Sequence, residues 1–193
     1  MLLPIPYNRE RAVEYARTWA LSRNPLFIDF TGIGGNCTNF VSQCILAGAP
    51  IMNYTPTFGW YYITADDRAP AWSGVDALYN FLTGAPNFVA QNKGYGPFAT
   101  DVRNSQTIDI GDVIQLSNAE GRFYHSLIIS GFTENDILVC AQSDDALDRP
   151  LSTYNFSGIR VLHIEGAMIY FDDTARYQNL ISATALPPSR IEQ

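Results

Sequence analysis

The chain has 193 residues, 47% hydrophobic and 13% aromatic, enough for one sizeable core and too few for two. Its 12 basic and 19 acidic side chains give a formal net charge of -7, leaving no cationic surface to release counterions from phosphates, so neither nucleic acid nor an anionic membrane is an expected partner. Three cysteines, an odd and sparse set, argue against a disulfide framework and leave room for a reactive thiol.

No apolar run approaches the roughly 18 to 20 residues needed to span a bilayer. The opening MLLPIPYNRERAVEY has too short and proline-broken an apolar start for a signal peptide. The expected location is cytoplasmic, or extracellular and cell-wall if a leader has been removed.

In chain order, NRERAVEYARTWALSR predicts a helix capped by Asn8, with Ala12, Tyr15, Ala16, Trp19 and Ala20 on one face and Asn24 and Pro25 ending it. GIGGNCTNFVSQCILAGAP predicts a second helix from about Asn36, with Cys37, Phe40, Val41, Cys44 and Ile45 in an apolar stripe that Gly48 and Pro50 stop. A third follows Ser73, with Val75, Leu78, Tyr79 and Leu82 inward and Gly84 at its end. Beyond about residue 107 the pattern becomes short apolar runs between turns: TIDIGDVIQLS, RFYHSLIISGF, DILVCAQS and GIRVLHIEG. Helices before strands predict an α+β fold, N-terminal helices packed on a C-terminal antiparallel sheet. The expectation is a single domain over 1–193 with its core over about 7–170 and a loose tail over 184–193.

Cys37 stands where a glycine loop meets that second helix. The first N–H groups of a helix lack intrahelical partners and carry about half a positive charge, which favours thiolate over thiol and can receive an oxyanion. Cys44 and Cys140 read as core. Of the two histidines, His163 reads as a residue at the surface of a late strand, while His125 opens HSLIISG at a strand end, where a side chain projects into a cleft. A hairpin with Gly131 facing Ile137 puts Ser143 opposite His125 and Gln142 beside it. Gln142 is the candidate to orient the imidazole, with Ser143 and Asp144 as alternatives. Asn36 and Thr38 are candidate oxyanion donors beside the Cys37 backbone N–H, Asn39 and Gln43 read as structural support, and Trp60 in GWYYIT is a candidate cleft aromatic that could equally be core. Asp144, Asp145 and Asp148 lack the spacing of a calcium loop, and no metal or organic cofactor is expected.

YNRERAVEYARTWALSRNPLF, GGNCTNFVSQCILAGAP, GWYY, GDVIQL, HSLIISG and AQSDDALDRPLS resemble successive landmarks of the bacterial putative amidase domain family, over roughly residues 7 to 155. That family resembles the papain-like cysteine amidases and peptidases of the CHAP and NlpC type. The resemblance implies a papain-like fold, Cys37 as nucleophile and His125 as base. The chain departs from the family's usual pattern at Asn36, where Asp is usual, and at Gln142, where His is usual. The expected function is a cysteine-dependent hydrolase cleaving an amide bond in a peptide-like substrate, with peptidoglycan-derived peptides the class that the resemblance suggests. The alternative is a catalytically silent papain-like module that binds peptide or glycan.

Overall fold

The computed structural model describes residues 2–102 and 107–170; the tail expected over 184–193 lies outside the described residues. In chain order the elements are β1 (Leu2–Ile5), α1 (Arg9–Trp19), α2 (Cys37–Gly48), α3 (Pro70–Ser73), α4 (Val75–Leu82), α5 (Pro86–Asn92), β2 (Gly96–Asp101), β3 (Val113–Ser117), β4 (Phe123–Phe132), β5 (Ile137–Ala141), β6 (Ala146–Pro150) and β7 (Gly158–Tyr170). The fold is α+β, with five helices among the described residues on a seven-stranded antiparallel sheet ordered β1-β7-β3-β4-β5-β6, and with β2 also paired to β7. Among the described residues no helix is long and apolar enough to cross a membrane.

Asn8 caps α1 as its residue type predicts, its side-chain oxygen accepting from the Arg11 N–H at 2.9 Å. The helix stops at Trp19, short of Asn24, which instead donates to the Tyr15 hydroxyl at 2.8 Å. Ala12, Ala16 and Ala20 are fully buried against α2. Small side chains let the two backbones approach closely. The closeness is sharpest at Gly48: a Cβ there would lie 2.2 Å from a Tyr7 ring carbon, so only glycine fits.

The helix α2 departs from an amphipathic pattern. Its polar residues Thr38, Asn39, Ser42 and Gln43 are as buried as Phe40, Val41, Cys44 and Ile45, because α1, α3 and the sheet enclose it. Each of these side chains therefore makes a hydrogen bond inside the protein. Asn39 donates to Ile28 O and accepts from Trp72 Nε1, Ser42 donates to Trp72 O and accepts from Trp60 Nε1, and Gln43 accepts from Tyr15.

One hydrophobic cluster fills the space between the helices and one sheet face, joining Phe40, Val41, Cys44 and Ile45 to Val113, Ile128, Cys140, Leu162 and Ile164. A second covers the other face with Ile114, Leu116, Leu127, Ile129, Val139 and Ala141, closed by Leu151, Tyr154 and Phe156 from the segment after β6. Successive residues of β4 thus alternate between the two clusters. His163 is not a free surface residue. Its Nδ1 lies 2.7 Å from the fully buried Asp112 carboxylate, which also accepts from Arg9 Nη1 at 2.6 Å and from the Asp109 and Ile164 N–H groups, tying the start of α1 to β7.

Candidate active site

The loop before α2 contains Gly32, Gly34 and Gly35, all with positive φ, a conformation that costs glycine little. It delivers the chain to Asn36 and places Cys37 on the first helical turn. No side chain caps this end of α2, so its opening N–H groups have no acceptor within the helix. Cys37 is 8% exposed, and its sulfur lies 3.8 Å from the Thr38 hydroxyl.

His125 is the third residue of β4. The pairing of β4 with β5 runs from Phe132 only as far as Ile128, opposite Cys140, since β5 ends at Ala141. Below that point β4 pairs with β3 alone, leaving an open notch in the sheet beside His125. Gly131 faces Leu138 rather than Ile137, because Ser130 is an extra residue between the Ile129–Val139 and Gly131–Leu138 pairs. A second irregularity lies at the notch: His125 faces Leu116 and Phe123 faces Ser117, which makes Tyr124 the extra residue of a bulge. A bulge re-aims side chains that would otherwise alternate, and Tyr124 and His125 reach the same cavity with their rings 6.2 Å apart and 11° from parallel.

That cavity, about 500 Å³, brings the two principal candidates together. Cys37 and His125 both line it, with Gly34, Gly35, Ser143, Asp144, Arg149 and Tyr154. No hydrogen bond joins Cys37 to the imidazole, and His125 Nε2 is buried without a partner among the described residues. Burial pushes the His125 imidazole below its ordinary value of 6.5, Asp144 raises it, and Arg149 adds to the fall. The neutral ring is therefore favoured, which is the form that accepts a proton. Burial raises the Cys44 and Cys140 thiols instead, and both are fully enclosed.

The remaining expected residues separate. Gln142 does not orient His125: its amide nitrogen donates to Trp19 O at 2.7 Å and Ser22 O at 2.8 Å, and its oxygen accepts from Asn36 Nδ2. It is a clamp between the end of α1 and the glycine loop before Cys37. Asn36 is equally committed. Its Oδ1 accepts from Phe30 N and Asn39 Nδ2, so a 1% exposed side chain stitches the loop together rather than facing the cavity. Trp60 is no cleft wall; it is fully buried against Trp72, 4.9 Å between ring centroids, and donates to Ser42. Thr38 is buried and bonded to Ser126 at 3.0 Å.

Of the alternatives to Gln142, Ser143 turns through a φ of +80° and accepts the Asn36 backbone N–H. Asp144 lines the cavity and acts on His125 through charge, without a hydrogen bond to it. The acidic run it begins is dispersed among arginines: Asp144 pairs with Arg149 at 2.7 Å, Asp145 with Arg23 at 2.9 Å and Asp148 with Arg17 at 3.1 Å. Tyr124, Arg149, Thr153, Tyr154 and Asn155 are the cavity residues that the sequence did not single out. The only available signal was the position of Tyr124 next to His125.

The sequence profile of the putative amidase domain family matches residues 6–164. A Bacillus subtilis protein, "Uncharacterized protein YhbB", is 30% identical over 143 residues, covering 72% of this chain and 42% of the relative. The chain thus aligns with less than half of that relative's length. No solved structure matches.

Proposed function

Since the chain belongs to the putative amidase domain family, a description pointing to an amidase-type hydrolase, we infer that it cleaves an amide bond by cysteine catalysis, with Cys37 as nucleophile and His125 as base. The observation that carries this reading is that this thiol and an imidazole that burial keeps neutral line the same 500 Å³ cavity. His125 takes the thiol proton and the sulfur attacks the carbonyl carbon. The C–N bond then breaks as His125 returns the proton to the departing amine, and water cleaves the thioester to release the acid and regenerate the thiol. The open N–H groups of the first turn of α2 are the natural oxyanion donors, since they face the end of the helix where Cys37 sits. Catalytic hydrogen bonds are often long in unliganded sites and tighten on binding.

A thiol at a helix start, packed on an antiparallel sheet whose strand carries the histidine, supports assignment to the papain-like hydrolases, related to the CHAP and NlpC types. The substrate class is peptide-like, with cell-wall-derived peptides first in the panel to be screened. The unbonded Cys37–His125 pair favours a second reading, a silent module that binds peptide or glycan. Incubation with a peptide and muropeptide panel separates the two. Amide cleavage that Cys37→Ala and His125→Ala both abolish supports the enzyme; binding without cleavage by the unaltered protein supports the module.

A further inference from the structure

We propose that Arg149 forms a carboxylate subsite in the Cys37 cavity, so that the preferred substrate is a peptide with a free carboxylate within reach of the scissile amide. This rests on the cavity being the substrate site. Among the described residues, the acidic or basic side chains that line it besides His125 are Arg149 and Asp144, and they differ in fixation. The Arg149 guanidinium lies 4.1 Å over the Tyr154 ring, donates from Nε to Thr153 Oγ1 at 2.8 Å, and donates from Nη2 to Thr153 O at 3.3 Å. Those contacts set its plane before any ligand arrives. Asp144 meets Nη1 at 2.7 Å from a side chain that is 69% exposed. Exposed pairs of this kind are worth little, so a ligand carboxylate can share or replace Asp144.

A guanidinium has five N–H donors, and these contacts use three of them, leaving one on each terminal nitrogen to meet a ligand carboxylate in charge-assisted bonds. Tyr124 and Tyr154, whose rings lie 6.2 and 6.1 Å from that of His125, supply apolar faces for the rest of the ligand. A fixed cation within a chain of net charge -7 is a selective feature rather than part of a general electrostatic field.

Two alkylating reagents of nearly equal size test the subsite without requiring turnover. Iodoacetate carries a carboxylate and iodoacetamide does not; in both, the Cys37 sulfur bonds to the methylene carbon and iodide leaves with the C–I electron pair. Relative to free cysteine, Cys37 is expected to favour iodoacetate by about tenfold, as a charge-assisted contact would give. Arg149→Gln should bring the ratio back to that of free cysteine, Arg149→Lys should keep part of the preference, and Asp144→Asn should increase it. An unaltered protein with no preference, or a preference that survives in folded Arg149→Gln, overturns the subsite. If Arg149→Gln does not fold, the Lys and Asn variants decide: failure of either shift overturns it. Because labelling is independent of hydrolysis, an Arg149-dependent ratio in a protein that cleaves nothing would uphold the subsite and remove the amidase. Cleavage with equal KM for acid and amidated forms of one peptide would do the reverse.

Discussion

The hydroxyls of Thr38 and Ser126 lie 3.0 Å apart, each one residue beyond a group proposed for the chemistry, so this contact joins the turn bearing Cys37 to the strand bearing His125. It continues across the sheet to the exposed Asp76 of α4: Ser126 accepts from Gln115 at 3.2 Å, Gln115 accepts from Arg160 at 2.7 Å, and Arg160 pairs with Asp76 at 2.8 Å while lying against the Tyr79 and Phe123 rings. A polar chain that is buried from Thr38 to Arg160 tolerates few geometries, because any displaced member there leaves an unsatisfied group. Thr38→Val removes the hydroxyl at nearly constant shape and should cost about 1 to 2 kcal/mol in urea unfolding. The rate of Cys37 alkylation should fall with it, whereas Thr38→Ser should restore both. An unchanged alkylation rate in folded Thr38→Val would show that the contact holds the fold without setting the site.

The three thiols should separate sharply under iodoacetamide. Cys44 and Cys140 are fully enclosed and burial raises both thiols, so each unit of that rise removes about nine-tenths of the reactive thiolate. Cys37 lines the open cavity. Peptide mapping after brief exposure of the native protein should find the label on Cys37, with the other two labelled only after denaturation. Equal labelling of all three would contradict the enclosure on which this contrast rests.

Much of this arrangement follows from readable rules, and the exceptions have physical causes. Asn8, the apolar stripe of α2 and the four strand runs from β3 onward follow from cap chemistry and periodicity, which act locally. The strands β1, β2 and β6 escape notice because LLPI, GPFATD and ALDRP carry proline or glycine and pair at the sheet periphery or with one part of β7 or β5. The helix α5 lacks a long enough periodic run. The simple hairpin register holds at Ile128 and Ile129, yet β5 ends before that register reaches His125. Gln142 therefore turns away to three partners that no strand pattern could reveal. Arg149 enters the cavity only because β6 folds back along β5 and Tyr154 follows it, a long-range event invisible in the acidic run where it lies.

The clamp formed by Gln142 makes a prediction that distinguishes it from an orienting residue. Gln142→Ala leaves two backbone carbonyls and the Asn36 amide without their partner in a buried site, a loss of roughly 2 to 4 kcal/mol if each unsatisfied group costs about 1. Denaturant unfolding should show that loss. The midpoint of the pH profile for Cys37 alkylation should stay in place, since the amide does not touch His125. A stable variant with a displaced profile would instead assign Gln142 to the imidazole.

The charge balance at His125 fixes the direction of the pH response. Its folded value lies below the ordinary 6.5, chiefly through burial, so the unfolded chain binds the proton more readily. Stability from this group is present above 6.5 and is lost as pH falls through the window between 6.5 and the lower folded value. The acid limb of kcat/KM for the free enzyme should therefore have its midpoint below 6.5. Asp144 raises the imidazole value and Arg149 lowers it, so their removal must act in opposite senses. Asp144→Asn should move the limb to lower pH, while Arg149→Gln should move it to higher pH. Profiles on a neutral amide substrate keep the proposed carboxylate contact from entering the comparison. Shifts in the same sense would mean that the limb belongs to another group, and His125 would lose its place as the base.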